Sequence, residues 1–423
     1  MVYLALIGDV QSGKTNEEIL YCFNSINNKI PVIFIVRNIK ADQLQLCNRI
    51  REYNININVS ILRGTKVLEF LKSIGILIVL CNKDQLRVTC KFLEQYGNEY
   101  NVCIDEVDFS IKTKNGTSLT DVYLTKIKNN AKNILGATAT PFALFSTEKK
   151  MVVKKLHPSN KYHGINSLNV QHVASDIRNF AESDTIAITE IYDALLAKER
   201  AFILHSVTKK KELHTNIMHH LAEKYPSFTV LTYNGDGISL MSNNRPSLPF
   251  TKKVSANMYG QIINKYYFID NVHFFQNWAI SEVLQLLVDD PVYKHTHISV
   301  ISGHLASRGI SFVSSDYSLH LTDQYFTAGK KTHGENYIQS LRILGCYSDS
   351  LPLTLWCSKY TWENILEHNE IIHRIINELD GSMEWMAKIK EITVNKPKNG
   401  LTRPNLADFK FNRLKSFYTL DLQ

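Results

Sequence analysis

The run Gly8-Asp9-Val10-Gln11-Ser12-Gly13-Lys14-Thr15 follows the apolar residues 2–7 and precedes a segment, 17–23, with helical patterning. A strand, a glycine-bounded turn and a helix start in direct succession leave few folds open. Glycines separated by four residues let backbone N–H groups turn inward onto phosphate oxygens, and the lysine reaches the β and γ phosphates. The threonine hydroxyl suits Mg²⁺. The expected ligand is therefore a nucleoside triphosphate, cradled by residues 8–15. The loop names a ligand and no reaction.

A chain of 423 residues exceeds one small core and points to two domains. Its 44% hydrophobic and 21% charged residues are those of a globular protein, and no apolar run approaches the roughly 20 residues that cross a bilayer. No membrane association is expected. Because 2–7 leads straight into the phosphate loop and not into a cleavage site, an intracellular location is expected. The seven cysteines are scattered, without two-residue-spaced pairs, which argues against a disulfide framework or a zinc site. Pairs such as His219-His220 lack the cysteine or carboxylate companions of a metal site. A net charge of +8 favours an anionic polymer as partner without proving one.

Along residues 1–145 short β-branched runs alternate with helical segments, at 2–7, 32–36, 59–62, 76–80, 101–104 and 133–135. That alternation implies a mainly parallel sheet covered on both faces, with ligands at the carboxyl ends of its strands. Residues 146–195 read as a connecting region, ending in a helix over 186–198. A second α/β series occupies 196–385, with strands at 201–205, 229–232, 297–301, 318–321 and 353–356 and an insertion over about 234–276. Residues 386–423 form a C-terminal extension. The fold class expected is α/β, two parallel-sheet lobes in tandem.

Two further motifs lie beyond the phosphate loop. Cys103-Ile104-Asp105-Glu106-Val107-Asp108 is an apolar strand ending in acid: Asp105 can hold Mg²⁺ and Glu106 can polarise a water, the division of labour that phosphoryl transfer to water requires. Leu135-Gly136-Ala137-Thr138-Ala139-Thr140-Pro141 is a strand ending in small residues and hydroxyls. With Lys14, this ordered series resembles the first RecA-like lobe of superfamily 2 helicases and translocases, where the third element couples the ATP site to lobe movement. The resemblance makes Thr138 and Thr140 coupling residues.

The second lobe is similar in kind. Ser302-Gly303-His304-Leu305-Ala306-Ser307-Arg308-Gly309 resembles the helicase segment with an Arg-Gly pair, and Gln339-Ser340-Leu341-Arg342-Ile343-Leu344-Gly345 resembles the Gln-and-Arg helix that faces ATP. Together they look especially like the endonuclease-associated Z-one helicase-like domain. The resemblance implies ATP with Mg²⁺ between the lobes, Gln339 at the nucleotide, Arg342 as the arginine that neutralises phosphoryl charge and Arg308 second to it. Cys346 and Tyr347 stand where the family usually carries a further arginine. Nucleic-acid contacts through phosphates are expected at the loop ends Arg37, Arg63, Thr65, Ser206 and Thr232, which are equally ordinary turn and cap positions.

The leading expectation is an ATP-hydrolysing motor on nucleic acid, DNA ahead of RNA, with a nuclease or replication protein as a further partner. An ATP-switched binding module with weak turnover is the alternative. A nucleoside or nucleotide kinase would share the phosphate loop but would not need the Arg308 and Arg342 lobe.

Overall fold

Strands such as Val32–Val36 and Ile76–Leu80 contain only apolar residues and are buried throughout. Strands apolar on both faces need helices on both sides, the condition under which parallel sheets are stable. The computed structural model describes residues 2–62, 67–107, 118–141, 144, 151–174, 185–206, 211–242, 255–256, 263–303, 309–327, 334–347 and 352–381. Two compact units emerge, one of Met1–Asn160 with Asn369–Gln423, the other of Lys161–His368.

The first unit holds a seven-stranded sheet, all parallel. Its strands are β1 (Val2–Ile7), β2 (Val32–Val36), β3 (Val59–Ile61), β4 (Ile76–Leu80), β5 (Asn101–Ile104), β6 (Asn133–Thr138) and β7 (Val152–Lys155). The order across the sheet is β3-β4-β2-β5-β6-β1-β7. Helices α1 (Lys14–Asn27), α2 (Lys40–Tyr53), α3 (Val67–Lys72), α4 (Lys83–Tyr96) and α5 (Leu119–Asn129) connect them. Local chemistry fixes their ends. Asn82 accepts the Gln85 N–H at the start of α4, and Gly97 closes that helix at φ 66°. Ser118 and Asp121 form a reciprocal capping box on α5. Since β1, β5 and β6 lie side by side, their carboxyl ends bring three of the sequence motifs to one edge.

The second unit contains a short antiparallel pair, β8 (Tyr162–His163) with β18 (Gly345–Cys346), and a ten-stranded sheet. Six of its strands are parallel, in the order β11 (Phe228–Asn234), β16 (His297–Ser302), β10 (Phe202–Ser206), β17 (Asp323–Phe326), β19 (Thr354–Cys357) and β9 (Asn169–His172). An antiparallel arm continues from β11 through β12 (Gly237–Met241), β15 (Val272–Gln276), β14 (Ile263–Ile269) and β13 (Ser255–Ala256), all within the residues expected as an insertion. Helices α6 (Thr185–Leu196) and α7 (Lys211–Lys224) cover a core around Tyr192, whose hydroxyl bonds Ser299 Oγ at 2.7 Å. Three more α-helices follow, α8 (Ile280–Asp289), α9 (Gly334–Gln339) and α10 (Lys359–Leu379).

Three sequence expectations change. The segment 146–195 is not only a connection, since it supplies β7 to the first sheet and β9 to the second. The strand expected at 318–321 lies instead at Asp323–Phe326, whose fully buried Asp323 is compensated by Lys198 Nζ at 2.7 Å, Trp356 Nε1 at 2.9 Å and Thr322 Oγ1 at 2.8 Å. The helix expected through Arg342 stops at Gln339. Leu341, Arg342, Ile343 and Leu344 are all buried, and the buried amide of Gln324 takes the Ser340 carbonyl and the Ile343 N–H, holding the backbone in a turn there.

Candidate nucleotide site

At the end of β1 the chain enters the glycine loop. A Cβ on Gly8 would stand 2.9 Å from Leu156 Cβ and from Ser12 Oγ, so only glycine lets the loop fold this tightly. Gly13, at φ 95°, is the left-handed residue that turns the loop into α1. Gln11 also sits at positive φ, 57°, a conformation that non-glycine residues adopt at an energetic cost. Ser12 is buried, and Val10 packs into the core. Thr15 comes next, in the first turn of α1.

Lys14 is buried, and its Nζ donates to the Gly8 carbonyl at 3.2 Å and the Asp9 carbonyl at 2.6 Å. Burial pushes its pKa down, while Glu106, Asp105, Asp9 and Glu18 hold it up. Four acids therefore face one ammonium. The same cluster works on the acids: burial pushes the Asp105 carboxyl up against the opposing pull of Arg37 and Lys14. Glu18, fully buried on α1, is pushed well above the ordinary carboxylate range by burial and then by Asp105. Cys103 Sγ donates to its Oε1 at 3.8 Å.

Asp105 leaves β5 with its N–H on the Ile35 carbonyl at 3.0 Å. Glu106 comes after it at φ 51°, left-handed and partly buried, at a point where an ordinary turn would recruit glycine or asparagine. Thr138 ends β6, between these acids and the loop, and its carbonyl accepts the Gly8 N–H at 3.2 Å. Thr140 N–H donates to Thr138 Oγ1 at 3.0 Å, and both threonines are fully buried. The structure thus brings Gly8, Lys14, Asp105, Glu106 and Thr138 together. A hydroxyl at Thr15 and a carboxylate at Asp105 are hard oxygen donors, and the acid surplus around Lys14 invites a further cation, so these residues fit Mg²⁺.

Other expected residues lie elsewhere. Arg37 is 6% exposed and holds Asp42 with Nη2 at 2.7 Å and Nε at 2.8 Å, which engages its guanidinium inside the first unit beside Asp105. Ser206 ends β10 opposite Ser302, and Thr232 is buried within β11. Arg342 is buried, with Nε on the Ile310 carbonyl at 2.9 Å and Nη1 on the Gln339 carbonyl at 3.3 Å. Gln339 is buried beside it. Arg63, Thr65, Asp108 and Arg308 lie outside the described residues.

Three residues escaped the sequence reading. Glu18 lies three positions beyond Thr15, on the buried stripe of α1 with Ile19 and Cys22, a spacing that could have marked it. Gln324 donates Nε2 to the Ser340 carbonyl at 2.7 Å and accepts the Ile343 N–H at 3.0 Å, bracing the turn that carries Arg342. His373, near the end of α10, donates Nε2–H to Asp9 Oδ1 at 2.8 Å. No local signal identifies the last two.

No protein-family profile matches this chain, and no curated protein matches it. Solved structures do. Mss116p bound to ssRNA and AMP-PNP is 14% identical, with a TM-score of 0.52 over 100% of this chain and 78% of that one. Dbp5 of S. cerevisiae bound to RNA and ADP BeF3 is 11% identical, with a TM-score of 0.49 over 92% of this chain and 88% of the other. The chain folds as two RecA-like lobes in tandem, the architecture of the first of these neighbours.

Proposed function

We propose that this chain is an ATP-dependent nucleic-acid motor, a helicase or translocase that hydrolyses ATP. The observation that carries the reading is the meeting of Lys14 with Asp105 and Glu106 at the carboxyl ends of β1 and β5, the strands on either side of β6 in one sheet. Lys14 now rests on the carbonyls of Gly8 and Asp9, and the phosphates of ATP offer it stronger partners. Residues 8–15 hold the phosphates with inward N–H groups, and α1 presents its N-terminus to them. Thr15 and Asp105 would hold Mg²⁺, which supplies charge neutralisation at the phosphoryl oxygens. Glu106 orients the attacking water.

Thr138 stands one hydrogen bond from Gly8 and Thr140 one further bond beyond it, which supports their coupling role. The roles of Gln339, Arg342 and Arg308 in turnover, and of Arg37, Arg63, Thr65, Ser206 and Thr232 on nucleic acid, rest on the resemblance. So does the likeness to the Z-one domain, from which a nuclease partner would follow. The net charge of +8 suits a polyanion, and because the solved neighbour Mss116p holds ssRNA, RNA stands beside DNA as substrate.

A second reading, an ATP-switched binding module with weak turnover, draws support from Arg342, whose Nε and Nη1 already donate to backbone carbonyls. ATP turnover measured against single-stranded and duplex DNA and RNA separates the two. A motor shows turnover stimulated by at least one nucleic acid, lost in Lys14→Ala and lowered about 100-fold or more in Glu106→Gln. Tight ATP binding with negligible turnover, unchanged by Glu106→Gln, selects the module.

A further inference from the structure

The second residue of the phosphate loop is an acid, which is electrostatically adverse beside a polyphosphate. Asp9 lends its backbone carbonyl to Lys14 at 2.6 Å, so its carboxylate stands next to the group that must meet the phosphates. Something has to hold that carboxylate aside. His373 does so, with Nε2–H on Asp9 Oδ1 at 2.8 Å, across 364 positions of sequence.

The imidazole is not placed by chance. His373 and Asn377 lie one turn apart near the end of α10 and Asp380 directly follows its last residue, Asn377 and Asp380 meeting the edge of the first sheet. Asn377 Oδ1 accepts Lys155 Nζ at 2.6 Å, Asp380 Oδ1 accepts the Lys155 N–H at 2.7 Å, and Gly381 N–H donates to the Val153 carbonyl at 2.9 Å. Val153 and Lys155 belong to β7, which pairs with β1. The next residue, Leu156, donates its N–H to the Ile7 carbonyl at 2.8 Å and lies against Gly8. One face of α10 is thus latched to the strand flanking the loop, and His373 is the member of that face that reaches the loop itself.

We propose that His373 is a positioning residue of the nucleotide site: it fixes the Asp9 carboxylate away from the incoming phosphates and so sets the affinity for nucleoside triphosphate. The proposal rests on the reading of residues 8–15 as a nucleotide site. Without the imidazole, Asp9 is free to turn toward the phosphates, and ATP pays for the repulsion. Removing the Asp9 charge as well abolishes that repulsion, whereas a helix merely loosened from the sheet would not be repaired by it.

The test is the Kd for ATP of the full chain and of His373→Ala, Asp9→Asn and the double variant, with melting temperature measured alongside. The expected result is a Kd raised roughly three- to tenfold in His373→Ala, a part-exposed interaction of about 1 kcal/mol, and restored to the Asp9→Asn value in the double variant. A wild-type chain that binds ATP while His373→Ala binds it equally well overturns the proposal alone. So does a weakened His373→Ala that the second substitution fails to restore. A wild-type chain that fails to bind ATP overturns the nucleotide-site reading, and the proposal with it.

Discussion

Among individual residues, Glu18 carries the sharpest consequence. A fully buried carboxyl whose pKa is raised well above its ordinary value binds a proton more readily in the folded chain than in the unfolded one. Its contribution is therefore fully present below the unfolded value of about 4.3, and is lost as pH rises toward the folded pKa. Glu18→Gln keeps the shape and removes the charge that pH 7 would force on the site. Thermal denaturation of this variant should give a melting temperature close to wild type at pH 4 and roughly 2 °C or more above it at pH 7. A variant no more stable at pH 7 than at pH 4, relative to wild type, would show that Glu18 is ionised and paired. Lys14 makes the trade visible from the other side: burial lowers its pKa, the acids around it oppose the fall, and the phosphates of ATP would compete for it.

At the level of elements, the legible part of the sequence obeyed one physical rule. Strands buried on both faces, Val32–Val36 and Ile76–Leu80, announce themselves as unbroken apolar runs. The strand Asp323–Phe326 does not, because an acid and an amide stand first in it and their partners, Lys198 and Trp356 for one and the turn at 340–343 for the other, are far along the chain. The same division runs through the site. Residues 8–15, Asp105, Glu106 and Thr138 were legible because each motif is contiguous and ends a strand, while His373 and Gln324 act only through tertiary contacts. Asp323 supplies a test at this scale. Asp323→Ala strands the Lys198 ammonium and the Trp356 N–H, and should cost about 3–5 kcal/mol in urea denaturation. Asp323→Asn can keep the Trp356 bond and should cost less. Equal losses would mean that the ion pair, and not the hydrogen bond, holds the strand.

For the molecule as a whole, the first unit is discontinuous: its sheet is built before Asn160, yet the described residues 369–381 belong to it. A chain ended after Gly381 keeps the contacts of His373, Asn377 and Asp380, and a chain ended after His368 loses all three. ATP affinity of the longer truncation is expected within about twofold of the full chain, and that of the shorter one at least about threefold weaker, with a lower melting temperature. Equal behaviour of the two would show that the latch is dispensable. The return of α10 also sets an order of events on the ribosome. Domains ordinarily finish folding as they emerge, amino end first. Here Asp9, within the glycine turn, meets its partner His373 only after a further 364 positions of chain have been made. On the proposed role of His373, a nascent chain that still lacks α10 binds nucleotide more weakly than the finished one.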